Sequence, residues 1–311
     1  MRKIALKRPG ALGDIIMSFN FIKKLKENHE VFYFCHSSSF NILNNFVTKN
    51  KIVNFRILED YKEEQFDETI NLIGYPINEG YPHKKMEKHL LQYFSSEMGT
   101  NFSFDQFSLD LPIFPKKIEN RNSPRYITFQ NKTGWSTYKE WWGWQELINL
   151  IKEKNPNIEI YQIGGPNDPQ IKNTNGSFCR DSFEDNVAAQ AWAKLHIGLD
   201  SVFNHTTNIN WLNKGKTKGI ILFGSTQADA SGYPHNENIS LGLSCQPCFK
   251  EDPKMSRIPL GLCDNPPNQT YENPQHACMK GITPEMVFDK IKLWMKHSRI
   301  FIKTLIMKII K

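Results

Sequence analysis

The feature that most constrains this chain is a strand–loop–helix–strand order that occurs twice, at its start and again beyond residue 124. Arg2–Lys7 reads as a strand, a Pro-Gly loop follows, and Asp14–His29 carries apolar residues at helical spacing. Val31–His36, rich in aromatic and β-branched residues, reads as the next strand. This order is the unit of a parallel, doubly wound sheet. Weaker strands are expected at Ile52–Ile57 and Glu68–Leu72. The stretch Pro112–Pro124, with three prolines among Lys and Asn residues, reads as a linker. The pattern then restarts with a strand at Arg125–Gln130, a helix at Trp142–Lys154 and a strand at Ile158–Ile163 that ends in Gly164-Gly165-Pro166. A helix at Asp185–Lys194, a strand at His196–Asp200, a helix at Val202–Leu212 and a buried strand at Gly219–Phe223 complete it. At 311 residues the chain exceeds one ordinary core. Two α/β domains are therefore expected, residues 1–115 and 124–283, with ligands at the carboxyl ends of their strands.

The formal charge of +7 raises the possibility of a nucleic-acid partner, but its location argues against one. Residues 290–311 hold seven basic side chains and no acidic one, which leaves 32 of each sign elsewhere. A nucleic-acid enzyme spreads its basicity along a groove. Here it belongs to residues 284–311, which read as a C-terminal amphipathic helix starting at Pro284. Lys292, Lys296, Arg299 and Lys303 fall on one face, and Ile291, Trp294, Phe301, Ile302, Leu305 and Ile309 gather on the other. The expectation is packing across the other domain up to about Lys296, then contact with the anionic inner face of the cytoplasmic membrane. With no apolar leader and no spanning stretch, the protein is expected in the cytoplasm, where its six cysteines serve as thiols or metal ligands.

Three loops carry residues suited to binding an anion. Pro9-Gly10-Ala11-Leu12-Gly13-Asp14 follows the first strand and opens the first helix, where free amides favour negative charge. A plain tight turn with an acidic cap explains it as well. Lys132-Thr133-Gly134 and Lys139-Glu140-Trp141 follow the first strand of the second half and suit phosphate, or form a solvated loop over packed tryptophans. In Asp200-Ser201-Val202-Phe203-Asn204-His205 a strand ends in an acid and a helix begins. Ser201 suits its cap and the first amides suit a pyrophosphate, while His205 by itself reads equally as a structural histidine.

In order and spacing these motifs resemble glycosyltransferase family 9, whose members move heptose from ADP-heptose to lipopolysaccharide core or to protein. The likeness includes Leu12-Gly13-Asp14, Lys139–Trp141, Gly164-Gly165-Pro166-Asn167-Asp168, Asp200-Ser201 with His205, and Phe223-Gly224-Ser225-Thr226. It implies a GT-B architecture: two Rossmann-like domains facing across a cleft, with a C-terminal helix. By the same resemblance, Asp14 is the general base and Lys139 meets the donor phosphates. Gly13, Thr133, Gly134, Asp168, Asp200, Ser201, Val202, Phe203 and His205 line the donor site, with Asp168 towards the nucleoside. Val202 stands where the family usually has glycine. An inverting transferase of this kind needs one base and a set of positive groups for the departing nucleotide diphosphate, without a catalytic metal. The expected partners are a nucleotide sugar, a lipopolysaccharide or protein acceptor, and further copies of the chain.

Cys245-Gln246-Pro247-Cys248, then Cys263 and Cys278, with 14 residues in each longer gap, match a four-thiolate structural site for iron or zinc. Four unligated thiols are the alternative. Autotransporter heptosyltransferases carry a comparable iron-binding motif, so the resemblance favours iron. Cys35 and Cys179 lie outside it. Two other functions stay open: a GT-B transferase with a different nucleotide sugar, and a metal-stapled binding module without activity. A dehydrogenase lacks support, because neither half has the dinucleotide glycine fingerprint.

Overall fold

The computed structural model describes residues 1–73, 85–101, 104, 126–134, 139–213, 217–247 and 276–294, with the backbone alone at 209–213. The proposed linker at Pro112–Pro124 lies outside them.

The first strand, β1 (Arg2–Lys7), buries Ile4, Ala5 and Leu6 and runs parallel to β2 (His29–Cys35), with Arg2 opposite His29 and Lys7 opposite Phe34. The helix α1 (Leu12–Lys26) forms the crossover. Then α2 (Ser37–Lys49) leads to β3 (Asn54–Ile57), and β4 (Glu68–Asn71) returns to the other side of β1. The sheet order is β3-β2-β1-β4, all parallel. A further helix, α3 (Leu90–Glu97), starts at His89, whose Nδ1 accepts the Leu91 N–H.

The second sheet begins with β5 (Tyr126–Phe129), passes through α4 (Trp144–Lys154) to β6 (Glu159–Gln162) and β7 (Gly176–Ser177), and then doubles back. After α5 (Phe183–Trp192), β8 (Leu195–Leu199) pairs with the opposite edge of β5. Next come α6 (Val202–Asn213), β9 (Lys218–Leu222), α7 (Ala228–Ser231) and β10 (Glu237–Ile239). The order is β10-β9-β8-β5-β6-β7, again all parallel. The winding direction therefore reverses between β5 and β8, and such a switch point opens a crevice at the carboxyl ends of the two strands.

The two sheets share a core. α1 packs on α6 and α2 on α5. One apolar cluster joins Ile15, Phe19 and Phe46 of the first half to Phe178, Val187 and Phe203 of the second. Lys49 pairs with Glu184 at 2.7 Å, and the Gln227 amide bonds both the N–H and the carbonyl of Met86. A second cluster covers the other face of the second sheet with Trp141, Trp144, α8 (Ala277–Lys280) and a helix α9 over 284–294. Here the structure departs from expectation. The described turns of α9 bury Val287, Phe288 and Ile291 against the sheet of their own half, not across the other. Residues 295–311, where membrane contact is expected, lie outside the described residues.

Candidate donor and acceptor site

The crevice at the switch point is built around one carboxylate. Asp200, directly after β8, is 3% exposed and accepts from Lys139 Nζ at 2.7 Å, Thr226 Oγ1 at 2.6 Å and Ser231 Oγ at 3.1 Å. Burial alone would raise its pKa. The Lys139 charge and hydrogen bond, with the Thr226 hydroxyl, outweigh that and hold it below the ordinary carboxylate value. Loops after β5, β8 and β9 thus meet on one group. Gln130, buried at the end of β5, adds a second tie: its Oε1 accepts from Ser201 Oγ at 2.9 Å, and its Nε2 donates to the Lys132 carbonyl.

Ser201 caps α6, its Oγ accepting the Phe203 N–H at 3.3 Å. Phe203 itself points into the shared core, stacked on Phe183 with centroids 5.9 Å apart, and Val202 packs at the core's edge. One turn into α6, His205 is buried and directed at the first half. A methyl group on Gly13 would come within 2.9 Å of its Cδ2 and 3.1 Å of its Nε2. Only glycine lets α1 approach α6 this closely. The turn carrying Gly13 is itself strained, with Ala11 at φ 56°. Such a conformation costs a non-glycine residue about 1–3 kcal/mol and tends to persist at functional sites.

Asp14 does not cap α1. Its carboxylate pairs with Arg8 Nη2, and Arg8 is buried beyond the end of β1, its Nε without a hydrogen-bond partner among the described residues. Gly13, Asp14, Lys139, Asp200, Ser201, Val202 and His205 therefore lie close together where the two halves meet. His205 reflects this. Burial drives its pKa down to about 4, while the Asp200 and Asp14 charges pull the other way and Lys139 adds to the fall. It stands as a neutral ring.

Thr133 is buried and Gly134 is open on the loop after β5, where Lys132 pairs with Glu140 at 2.5 Å. Asp168 closes the turn after β6, accepting the Gly165 N–H at 2.8 Å. Its pKa is raised, chiefly by burial. Gly164, at φ 152°, has no room for a side chain beside this carboxylate. Of the proposed metal ligands, Cys245 is exposed in a turn and Cys278 is buried in the second core, away from the cleft. Cys248 and Cys263 lie outside the described residues, among which no group of three or more His, Cys, Asp and Glu side chains could hold a metal. Arg8, Gln130, Ser231 and Tyr233 were not anticipated. The one available signal was Arg8, a charge directly after a buried strand.

No family model and no curated protein matches the chain in sequence. Solved structures do match in fold. TibC, an iron-containing dodecameric glycosyltransferase from enterotoxigenic E. coli H10407, superposes with a TM-score of 0.69 at 14% identity, over 95% of this chain and 76% of that one. TibC has also been solved in complex with ADP-D-β-D-heptose. E. coli ADP-heptose lipopolysaccharide heptosyltransferase II gives 0.66 at 11% identity, over 96% and 99%. The glycosyl transferase family 9 protein of Veillonella parvula gives 0.57 at 13%, over 76% and 85%. The fold is that of the family 9 glycosyltransferases. The two parallel sheets and the reversal between β5 and β8 match the GT-B-like fold expected from the motifs.

The histidines at this junction make stability depend on acid. His205 is held neutral down to about pH 4, and burial holds His89, beside it, neutral down to about pH 3. In the unfolded chain both take up protons below about 6.5. The unfolded state therefore binds more protons between those limits. The contribution is complete above about pH 6.5 and is lost as pH falls towards the folded values. Urea unfolding at pH 7 and pH 5 should show a loss of about 2 kcal/mol per histidine. A His205→Asn variant should lose less over the same interval, whereas an equal loss would place the titration elsewhere.

Proposed function

We propose that the chain is an inverting glycosyltransferase that moves a sugar, heptose from ADP-heptose in the first instance, to a cell-envelope acceptor that is lipopolysaccharide or protein. The observation that carries this reading is the meeting of Asp14 with Lys139, Asp200 and the start of α6 around one cleft. A carboxylate on one side can accept the proton of an attacking hydroxyl. A cation and the first amides of a helix on the other can stabilise a departing nucleoside diphosphate. The likeness to TibC and to heptosyltransferase II supports the donor class, since TibC has been solved with ADP-heptose. Residues 1–115 form the acceptor side and 124–283 the nucleotide side, with Thr133 and Gly134 on a phosphate-binding loop and Asp168 towards the nucleoside. The basic segment beyond Lys296 holds the enzyme on the anionic inner face of the membrane, near an envelope acceptor.

Asp14→Asn keeps the size of the side chain and removes the base. The melting temperature should fall somewhat as the buried Arg8 loses its charged partner, and donor binding should stay near wild type, while transfer from ADP-heptose by the folded variant falls by about 100-fold or more. Turnover within a few-fold of wild type would reassign the mechanism.

A structural metal belongs to the same proposal. Leu241 lies against Gly281, which brings together the described segments that precede residue 248 and follow residue 275. Cys245 lies in the first of these segments and Cys278 in the second. Four thiolates suit iron or zinc, and with all four positions filled by protein the ion staples the loop and leaves no place for substrate. TibC is itself iron-containing. Elemental analysis should find about one iron or zinc per chain. Replacing Cys248 or Cys263 with serine should remove it and lower the melting temperature, and Cys35→Ser should do neither. Full reactivity of all four thiols in a stable, metal-free protein would end the idea.

A further inference from the structure

Behind His205 lies a residue that touches neither the Asp14 turn nor the Asp200 node. Tyr233 is fully buried, and its hydroxyl stands 3.0 Å from His205 Nδ1. We propose that Tyr233 is a positioning residue: its hydroxyl holds the His205 ring with hydrogen on Nε2, so that a neutral N–H donor faces the Gly13–Asp14 turn. The inference deepens the transferase reading and rests on it.

The tautomer follows from hydrogen-bond capacity. A neutral imidazole carries one hydrogen and one lone pair on its two nitrogens. Were Nδ1 the donor, the phenol would accept, and its own hydrogen would have to be placed inside the core. Among the described residues His205 is the only hydrogen-bond partner of that hydroxyl. Burial also pushes its pKa up, so it stays protonated. The hydroxyl therefore donates to Nδ1, and Nε2 carries the hydrogen. The opposite edge of the ring, Cδ2–Nε2, is the edge against Gly13.

Tyr233 is well placed to act as a fixed stop. Its ring meets His205 edge-on at 5.8 Å, and His89 and Phe104 flank it at 5.5 and 6.2 Å. Its carbonyl accepts from the Asn236 N–H at 3.0 Å and from Asn238 Nδ2 at 3.1 Å. Neutrality matters for the chemistry. Asp14 already has the Arg8 guanidinium as partner. An imidazolium here would place a second cation beside the same turn and draw the carboxylate away from an acceptor hydroxyl. A neutral N–H instead offers one directed hydrogen bond to a substrate oxygen without that cost.

The test uses the whole chain labelled with 15N histidine. Long-range 1H–15N spectra near neutral pH, with the His205 signals assigned by their loss in His205→Asn, should show hydrogen on Nε2 in the wild type and a mixture in Tyr233→Phe. With ADP-heptose as donor, Tyr233→Phe should lower kcat by about 10- to 100-fold, the scale for removing a group that orients a functional residue. The donor KM should change little. Adding Tyr233→Phe to His205→Asn should cost nothing more, as for two residues acting as one unit. Hydrogen on Nδ1 in the wild type, or an unchanged tautomer in Tyr233→Phe, would overturn the proposal. The spectra are read without turnover, so an inactive protein with the expected tautomer fails the transferase reading and not this assignment.

Discussion

The site depends on the buried ion pair between Lys139 and Asp200. A carboxylate with 3% exposure persists in the charged state only when partners replace its water, and Asp200 has a lysine and two hydroxyls. Those partners come from two separate connections, Lys139 from the one after β5, and Thr226 and Ser231 from the one after β9 that carries α7. They converge because every strand of the second sheet runs parallel, which places all their following loops at one edge. Breaking a buried pair of this kind costs about 3–5 kcal/mol, so Asp200 organises the loops as well as charging the cleft.

Close packing between the halves adds the second constraint. The absence of a side chain at Gly13 lets the α1 turn lie against His205, and the shared core of α1, α2, α5 and α6 fixes the register of that approach. Asp14 is thereby carried to the cleft by one half and Lys139 by the other. Arg8–Asp14, Lys132–Glu140 and Lys139–Asp200 are each cation–carboxylate pairs. In the proposed reaction an incoming diphosphate would compete with carboxylates for these cations, which would leave a larger share of its binding to the first amides of α6.

Much of this was legible in the sequence because it follows from period and punctuation. The alternation of short buried strands with helices predicts the first sheet and β5, β6, β8 and β9 of the second, though not the short edge strands β7 and β10. Asp200-Ser201 at a strand end predicts the cap of α6 that the Ser201 hydroxyl makes. α2 was not legible. Ser37–Lys49 is crowded with Ser and Asn, which weaken local helical preference, and Leu43, Phe46 and Val47 form the helix only by packing on the core. Ser231 and Tyr233 could not be anticipated either, because their roles depend on a loop folding back onto α6, some thirty residues from the groups they hold. Phe203 shows the reverse. It lies within a binding motif, yet its ring serves the core and only its backbone faces the helix start.

The central claim is that the Lys139 side of the cleft binds the diphosphate of a nucleotide donor. Titration calorimetry of ADP and of adenosine against wild type and Lys139→Ala tests it directly, with folding of the variant checked by its melting curve. The account predicts that ADP affinity falls by about tenfold or more, the worth of one charge-assisted hydrogen bond, while adenosine affinity is unchanged. Parallel losses for both ligands in a folded variant, or an undiminished affinity for ADP, would contradict it.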